Sequence, residues 1–226
     1  MNLRNVLRRL AAPLIIVIGQ AVVFFIARGG VDHLRAWLVF GLMALHGLIG
    51  LPLVWRFNPG LLAERWKERT DTAPYERAVG VALFLLLLVL QVTAGLDLRL
   101  GGSSPAPWLI IPGLALMVAG MSLITATMLV NPHLEAGARI QEDRGHRVVS
   151  SGPYGLVRHP MYLGGLLLYL GVPLVLGSLW AMIPAALIGG LFVVRTSLED
   201  RLLHRGLAGY AEYARRTRRR LIPGVW

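Results

Sequence analysis

Arg158 and His159 stand where a polar stretch of the chain meets an apolar run. The stretch 140–164 reads IQEDRGHRVVSSGPYGLVRHPMYLG, in which Gly152-Pro153 predicts a turn and Pro160 the first turn of a helix. A guanidinium held at this boundary can bind a carboxylate or phosphate through a forked hydrogen bond. The alternative for an isolated Arg-His-Pro is that Arg158 reaches to lipid headgroups and His159 caps the helix.

Glu199 and Asp200 are adjacent acids that come shortly after the last apolar run. Carboxylates at the edge of a bilayer are unfavourable unless they are paired or solvated. One interpretation is ion pairing with Arg195 or Arg201. The other is that the acids face a polar cavity and bind a cation there. The site depends on the fold bringing these acids next to Arg158 and His159.

Six apolar runs must position these residues, at 10–27, 36–55, 78–96, 108–130, 162–176 and 179–194. A membrane span needs roughly 20 apolar residues, so the first four runs qualify and the last two are short. Only Gly177 and Ser178 separate the last two, which predicts a tight antiparallel hairpin. The fold class expected is an all-α polytopic membrane protein with about six transmembrane helices and a cytoplasmic amphipathic C-terminal helix.

The distribution of Lys and Arg among the connections predicts the orientation, since positive residues are retained in the cytoplasm. The connections on one face, with both termini, carry 20 of these residues, and those on the other face carry 3. We therefore expect a cell-membrane protein with both termini cytoplasmic. The apolar run after Arg4, Arg8 and Arg9 is interpreted as a retained first span.

Two regions are expected along the chain. Residues 1–135 form a four-helix membrane region with a short interfacial helix near 61–69, which anchors at the headgroups or lines a substrate access route. Residues 136–226 form the region that carries the chemistry, with the helical hairpin and the C-terminal helix. Apolar residues recur at intervals of three to five positions from Leu198 to Ala214, and again at Leu221, which predicts that this helix is amphipathic.

Composition excludes several classes of function. The chain has 226 residues, of which 55% are hydrophobic and 15% charged, so lipid is the first solvent to consider. Cysteine is absent, which rules out disulfides and thiolate catalysis, and the six His residues show no metal-ligand spacing. The net charge of +11 lies between apolar runs, which favours membrane lipids over nucleic acid as the partner.

The combination of GPYGLVRHPMYLG with a later acidic pair, Tyr210, Tyr213 and RLIP resembles the isoprenylcysteine carboxyl methyltransferase and phospholipid methyltransferase superfamily. The resemblance is strong from Ile140 to Trp226 and fits the bacterial-type members best. In the first four spans it is limited to hydropathy and the NPGLLAER element at 58–65.

This resemblance implies an S-adenosylmethionine pocket at the cytoplasmic membrane edge. The positions similar to cofactor-contacting or supporting residues are His159, Tyr162, Glu199, Gly152, Tyr154, Gly164 and Asp200. The family pattern has Glu-Glu where this chain has Glu199-Asp200, so Glu199 has the stronger claim to direct contact.

Methyl transfer from this cofactor requires neither a metal nor an enzyme nucleophile, so positioning is the main task. The acceptor stays open between a lipophilic or lipidated carboxylate, such as an isoprenylcysteine, and a phospholipid amine. For an anionic acceptor, three arginines are candidate orienting residues in the active site: Arg158, Arg218 and Arg220.

Two rival functions are considered. An integral membrane reductase of the sterol reductase type shares an Arg-His-Pro-x-Tyr element and would use NADPH, but Met161 and the segment 204–207 depart from its pattern. A transporter or structural membrane protein also fits six spans. However, intramembrane polar residues such as His46, Gln91 and Thr93 are scarce in the first four spans.

Overall fold

The computed structural model describes the backbone of residues 3–65, 67 and 71–226, and their side chains from Pro13 onward. Eight α-helices lie in these ranges, and no strand occurs there. The helices are α1 (Leu3–Arg28), α2 (Leu34–Phe57), α3 (Pro59–Arg65), α4 (Glu76–Leu100), α5 (Ile110–Val130), α6 (Pro160–Leu176), α7 (Met182–Gly206) and α8 (Tyr210–Arg216). The expected all-helical class is confirmed.

Four helical segments of the described chain are long and apolar enough to cross a membrane: α2, α4, residues 107–130 and α7. Helical bonding satisfies the backbone within each segment, which a chain in lipid requires. Two shorter apolar helices cover Pro13–Arg28 and Pro160–Leu176. Several apolar helices that can span a membrane are thus confirmed, while six complete spans, the antiparallel hairpin and the cytoplasmic termini stay predictions.

α7 is longer than its apolar run indicates. The helix begins at Met182 and continues past Val194 to Gly206, so it includes Glu199 and Asp200. Charged residues can continue the helix here because Arg195 and Asp200 are paired with residues of other elements. Five residues connect α6 to α7, and Gly177 turns the chain there at φ +84°. The expected two-residue connection was therefore too short.

The C-terminal helix is also shorter than expected. The chain leaves the helical conformation at Leu207, turns at Gly209 with φ +80°, and forms only the seven-residue α8 before Thr217. Tyr210 and Tyr213 on α8 are buried against Tyr154 and Leu207. The tail is therefore folded back onto the segment before α6 and does not continue as one amphipathic helix.

The helix expected near 61–69 is α3, which begins at Pro59 and is described to Arg65. Trp66 and residues 68–70 lie outside the described residues. Leu61 and Leu62 of α3 are buried against Val54 of α2 and Met128 of α5. Asn58 connects the same helices, since its side-chain amide donates to the carbonyl oxygen of Met128 at 2.8 Å. α3 is thus packed on the ends of two membrane helices.

α5 and α6 approach each other closely through glycines. A Cβ atom added at Gly120 would lie 2.5 Å from the carbonyl oxygen of Gly164 and 2.6 Å from the amide nitrogen of Leu168. Gly113 and Gly171 make a similar approach nearer the other ends of the two helices. Small residues at such a seam let two membrane helices pack backbone against backbone. The seam fixes α6, whose first residues belong to the candidate site.

We expect Gly120→Ala to destabilise the protein by more than about 2 kcal/mol, because the new methyl group would overlap backbone atoms that cannot move independently. The matched control is Gly190→Ala on α7, where an added Cβ has no neighbour within 4 Å and should stabilise by about 0.5–1 kcal/mol. Thermal unfolding of both variants in the same detergent checks this. Equal melting temperatures would contradict the close seam.

Candidate functional site

The C-terminal tail holds the segment that precedes α6. Gly152 adopts φ +58°, starts a short 3-10 turn and leads to the buried Tyr154. Beyond this turn the backbone amides of Arg158 and His159 donate to the carbonyl oxygens of Arg219 and Arg220, both at 2.9 Å. Pro160 then starts α6, where its missing N–H leaves no unsatisfied donor. Arg158 and His159 are therefore fixed by the tail on one side and by α6 on the other.

Asp200 is the centre of a buried polar cluster. Its side chain is 3% exposed and accepts hydrogen bonds from Arg158 Nε at 2.9 Å and Arg158 Nη2 at 3.1 Å. It also accepts from the Tyr210 hydroxyl at 2.8 Å and lies 3.4 Å from His159 Nε2. Arg220 Nε lies 3.1 Å from its second oxygen. These five residues form what we call the Asp200 cluster.

The Asp200 cluster shows which residues lie next to the acidic pair, a point that the sequence left open. It places Arg158 and His159 beside the acidic pair of α7, although about forty residues of chain separate them. The described ion partners of Asp200 are Arg158 and Arg220, with His159 and His204 nearby. The interpretation that Arg195 or Arg201 neutralises Asp200 was therefore wrong. Arg195 pairs with Glu76, and Arg201 Nε donates to the Ser197 carbonyl oxygen.

Tyr162 and Glu199 form the second part of the site. The Tyr162 hydroxyl donates a short hydrogen bond to Oε2 of Glu199. Its ring stacks between His159 and Phe192, each with its ring centroid 5.9 Å away. The Arg195 guanidinium lies over the same ring, 5.2 Å from its centroid. These contacts fix the orientation of the phenol and, through it, one oxygen of Glu199.

A cavity of about 110 Å³, partly open to solvent, adjoins these residues. Its lining includes His159, Tyr162 and Glu199 on the side of α6 and α7. The opposite wall is the connection between α5 and α6, in particular residues 133–139 and 146–149.

Buried Arg139 holds the opposite wall in place. Its guanidinium donates to both oxygens of Glu135, at 2.9 and 3.1 Å, and to Asp143 at 2.8 Å. These hydrogen bonds raise the pKa of Arg139 above its ordinary value. Burial, reinforced by nearby His133 and Arg139, lowers the pKa of His146 to about 4, so this ring is neutral at pH 7. The wall is therefore a folded part of the site.

Five of the predicted site residues line this cavity: Arg158, His159, Tyr162, Tyr154 and Glu199. The Tyr154 hydroxyl accepts a hydrogen bond from the Asn131 amide at 2.6 Å, and the backbone carbonyl of Tyr154 accepts from Tyr213 at 2.8 Å. Burial raises the pKa of Tyr154 well above its ordinary value, so it stays a neutral phenol.

Three predicted cofactor positions lie elsewhere. Gly164 is part of the α5–α6 seam, where an added Cβ would lie 2.8 Å from the Gly120 carbonyl oxygen. Gly152 makes the positive-φ turn against Val130. The carboxylate of Asp200 is taken up by the Asp200 cluster. Their positions indicate support for the pocket through packing, the backbone turn and ion pairing.

Arg218 and Arg220, predicted to orient the acceptor, do not line the cavity. They line a separate, open basic recess with His204, Arg215 and Trp226, and Arg158 contributes to both spaces. Arg220 is turned toward Asp200, and its guanidinium lies 5.1 Å from the Trp226 ring centroid. Arg158 also directs its fork at Asp200. The geometry therefore does not support the expected acceptor role of these arginines.

Sequence reasoning did not assign four arginines that line the cavity: Arg65, Arg139, Arg147 and Arg195. Arg65 ends α3, and its Nη1 donates to the carbonyl oxygen of Leu134 at 2.7 Å. Arg195 Nη2 donates to Glu76 at 2.6 Å. One available signal was that Arg65 closes the NPGLLAER element and Arg195 is the first charge after the last apolar run.

Comparison with known proteins finds two similarities, each over slightly less than half of the chain. Residues 108–208 match the phospholipid methyltransferase family, a range that contains α5, α6, α7 and the segment with Arg158 and His159. The chain is also 38% identical over 107 residues to the Cobalt-zinc-cadmium resistance protein CzcN of Cupriavidus metallidurans. That match covers 46% of this chain and 46% of the relative, so about half of each protein is compared.

The match does not favour the sterol reductase alternative. The resemblance inferred from the sequence is confirmed for residues 108–208, which match the phospholipid methyltransferase family.

Proposed function

We propose that this chain transfers a methyl group from S-adenosylmethionine to a lipophilic acceptor at the cytoplasmic face of the cell membrane. The observation that carries the proposal is the Tyr162–Glu199 pair. It lines a cavity between the apolar helices and the polar connection of α5 to α6. Both termini are placed on the cytoplasmic side in this proposal. The acceptor comes from the membrane lipid or from a lipidated molecule.

The donor set of the cavity fits this cofactor. Oε1 of Glu199 takes part in none of the described hydrogen bonds, so it is available to the ammonium group of the amino-acid part. Tyr154 contributes to the lining, and residues 134–138 form part of the opposite wall. A carboxylate and an ammonium about 4 Å apart interact by roughly 4 kcal/mol at an effective dielectric of about 20. Glu199 is thus suited to recognition.

The cofactor supplies an activated methyl group with its own leaving group, so the chain's residues have only to bind and align. Alignment of two reactants can correspond to an effective molarity on the order of 10⁵ M or more. The stacking of Tyr162 between His159 and Phe192 provides a fixed surface for such alignment. His159 itself, 3% exposed and directed at Asp200, acts as a positioning residue in this proposal.

Isothermal titration of the purified protein with S-adenosylmethionine, and separately with NADPH, tests this function. We expect S-adenosylmethionine to bind with micromolar affinity or better and NADPH not to bind. Transfer of a labelled methyl group to a membrane lipid extract, followed by mass analysis of the product, then identifies the acceptor. Binding of NADPH without binding of S-adenosylmethionine would reject the proposal in favour of a reductase.

A further inference from the structure

The charged groups that line the cavity are mostly positive. Five arginines contribute to its lining, at positions 65, 139, 147, 158 and 195, against two glutamates, at 135 and 199. Glu135 is paired with Arg139, and the fork of Arg158 is directed at Asp200. Glu199 is the carboxylate that the proposed function assigns to the cofactor's ammonium. Arg195 is paired with Glu76, which lies outside the lining, so Arg65 and Arg147 are the lining arginines for which no carboxylate partner is described.

Of the three guanidinium nitrogens of Arg195, only Nη2 donates hydrogen bonds that the structure describes. Its Nη2 atom donates to Oε2 of Glu76 at 2.6 Å and to the Ala136 carbonyl oxygen at 2.8 Å. Its Nε atom is buried without a hydrogen-bond partner, and no described hydrogen bond uses Nη1. A buried donor without an acceptor is unfavourable, and more so in a charged group, unless a ligand supplies the acceptor. Its position over the Tyr162 ring places this guanidinium beside Glu199.

Arg65 approaches the same space from α3. Its Nη1 donates to the carbonyl oxygens of Leu134 and Glu135, at 2.7 and 3.2 Å, which are neutral acceptors. Its Nη2 points to the Met161 sulfur at 3.8 Å, a weak acceptor. Burial lowers the pKa of the Arg65 guanidinium, and the nearby charge of Arg195 lowers it further. Arg65 thus lies near Arg195 with no carboxylate partner described for it, whereas Arg195 is paired with Glu76.

We propose that Arg65 and Arg195 bind the oxyanion of the methyl acceptor, and that the acceptor is a lipophilic carboxylate. This inference rests on the proposed methyl transfer and selects between the acceptor classes that the sequence leaves open. A guanidinium donates to carboxylate oxygens in a matched, charge-assisted geometry. A protonated amine would be repelled by Arg65, whose charge no described carboxylate balances. An anion also balances the positive charge of the sulfonium in the same cavity.

The reaction with a carboxylate needs no base. A carboxylate oxygen of the acceptor forms a bond to the methyl carbon as the bond between that carbon and sulfur breaks, and the electron pair stays on sulfur. The products are a methyl ester and a neutral thioether, and no proton is released. An amine acceptor would first have to lose a proton to a general base. Arg65 and Arg195 need only hold and orient the oxyanion.

The test compares two probes of equal chain length, palmitic acid and hexadecylamine, by isothermal titration of the full chain in maltoside micelles with S-adenosylhomocysteine present. We expect palmitate to bind at least about tenfold more tightly than the amine. Arg195→Gln and Arg65→Gln should each weaken palmitate binding about tenfold or more, as expected for loss of a charge-assisted hydrogen bond. Arg195→Lys should restore part of the affinity, while S-adenosylmethionine binding should change less than about threefold.

Arg201→Gln is the matched control, because Arg201 is an exposed arginine on the same helix outside the cavity. It should leave the affinity for palmitate unchanged. Equal binding of the amine and the carboxylate by a wild-type chain that binds S-adenosylmethionine would overturn the anion site alone. Failure of that chain to bind S-adenosylmethionine would instead reject the proposed function. The wild-type comparison stands even if a variant does not fold.

Discussion

Asp200→Ala is expected to lower the free energy of unfolding by about 3–5 kcal/mol, which is among the largest effects of a single substitution. The change removes the acceptor of four described hydrogen bonds, two from Arg158, one from Tyr210 and one from His159. It leaves the buried Arg158 charge without a carboxylate, since its remaining described acceptors are backbone carbonyls. The tail and the segment before α6 should separate as a result.

Thermal unfolding in detergent, with limited proteolysis of the tail, measures this effect. The control is Glu212→Ala, which removes the exposed partner of Arg216 on α8 and should change stability by less than about 0.5 kcal/mol. Because the tail supports His159, the Asp200 variant should also lose cofactor binding. An Asp200→Ala protein with wild-type melting temperature and an intact tail would show that the Asp200 cluster does not hold the tail against the segment before α6.

Glu199→Gln is expected to weaken S-adenosylmethionine binding about 10- to 100-fold while leaving the fold intact. Gln keeps the shape of Glu and can still accept from Tyr162, but it lacks the charge that the ammonium group requires. Glu199 is half-buried and its described hydrogen bond is the one from Tyr162, so its neutralisation strands no buried cation. The substitution therefore separates recognition from stability.

Isothermal titration gives the affinity, and a melting curve of the same sample reports the fold. Tyr162→Phe should cause a smaller loss, because it removes the hydroxyl that fixes Glu199 but keeps the charge. Glu142→Gln, an exposed acid in the connection between α5 and α6, serves as the charge control. Unchanged cofactor affinity in Glu199→Gln would assign the ammonium site to another group.

Hydropathy predicted the membrane helices well because each one must satisfy its backbone internally, whatever surrounds it. It failed at the ends of α7 and α8, where pairing between elements decides how far a helix continues. Arg195 and Asp200 extend α7 through contacts with Glu76 and Arg158, and these partners lie 119 and 42 residues away in the chain. Apolar periodicity contains no information about such partners.

The motif predicted the neighbourhood of the site but not the role of every arginine. Glu199, Tyr162 and His159 line the cavity, since the RHP segment and the acidic pair both adjoin membrane-helix ends. The direction in which an arginine points depends on its nearest carboxylate. Asp200 draws the guanidinium groups of Arg158 and Arg220 toward itself, whereas Glu76 holds Arg195 at the cavity. Residue type and spacing alone could not distinguish these cases.

The glycine seam between α5 and α6 has a consequence for how a lipid-borne molecule reaches the cavity. Two helices whose backbones touch at Gly120 and Gly164 have no side chains there that could swing aside. We therefore expect α5 and α6 to move together as one rigid body. An opening from the bilayer to the cavity should then form between other helices. A hydrocarbon chain arriving from the bilayer would pass beside the α5–α6 pair and not between these two helices.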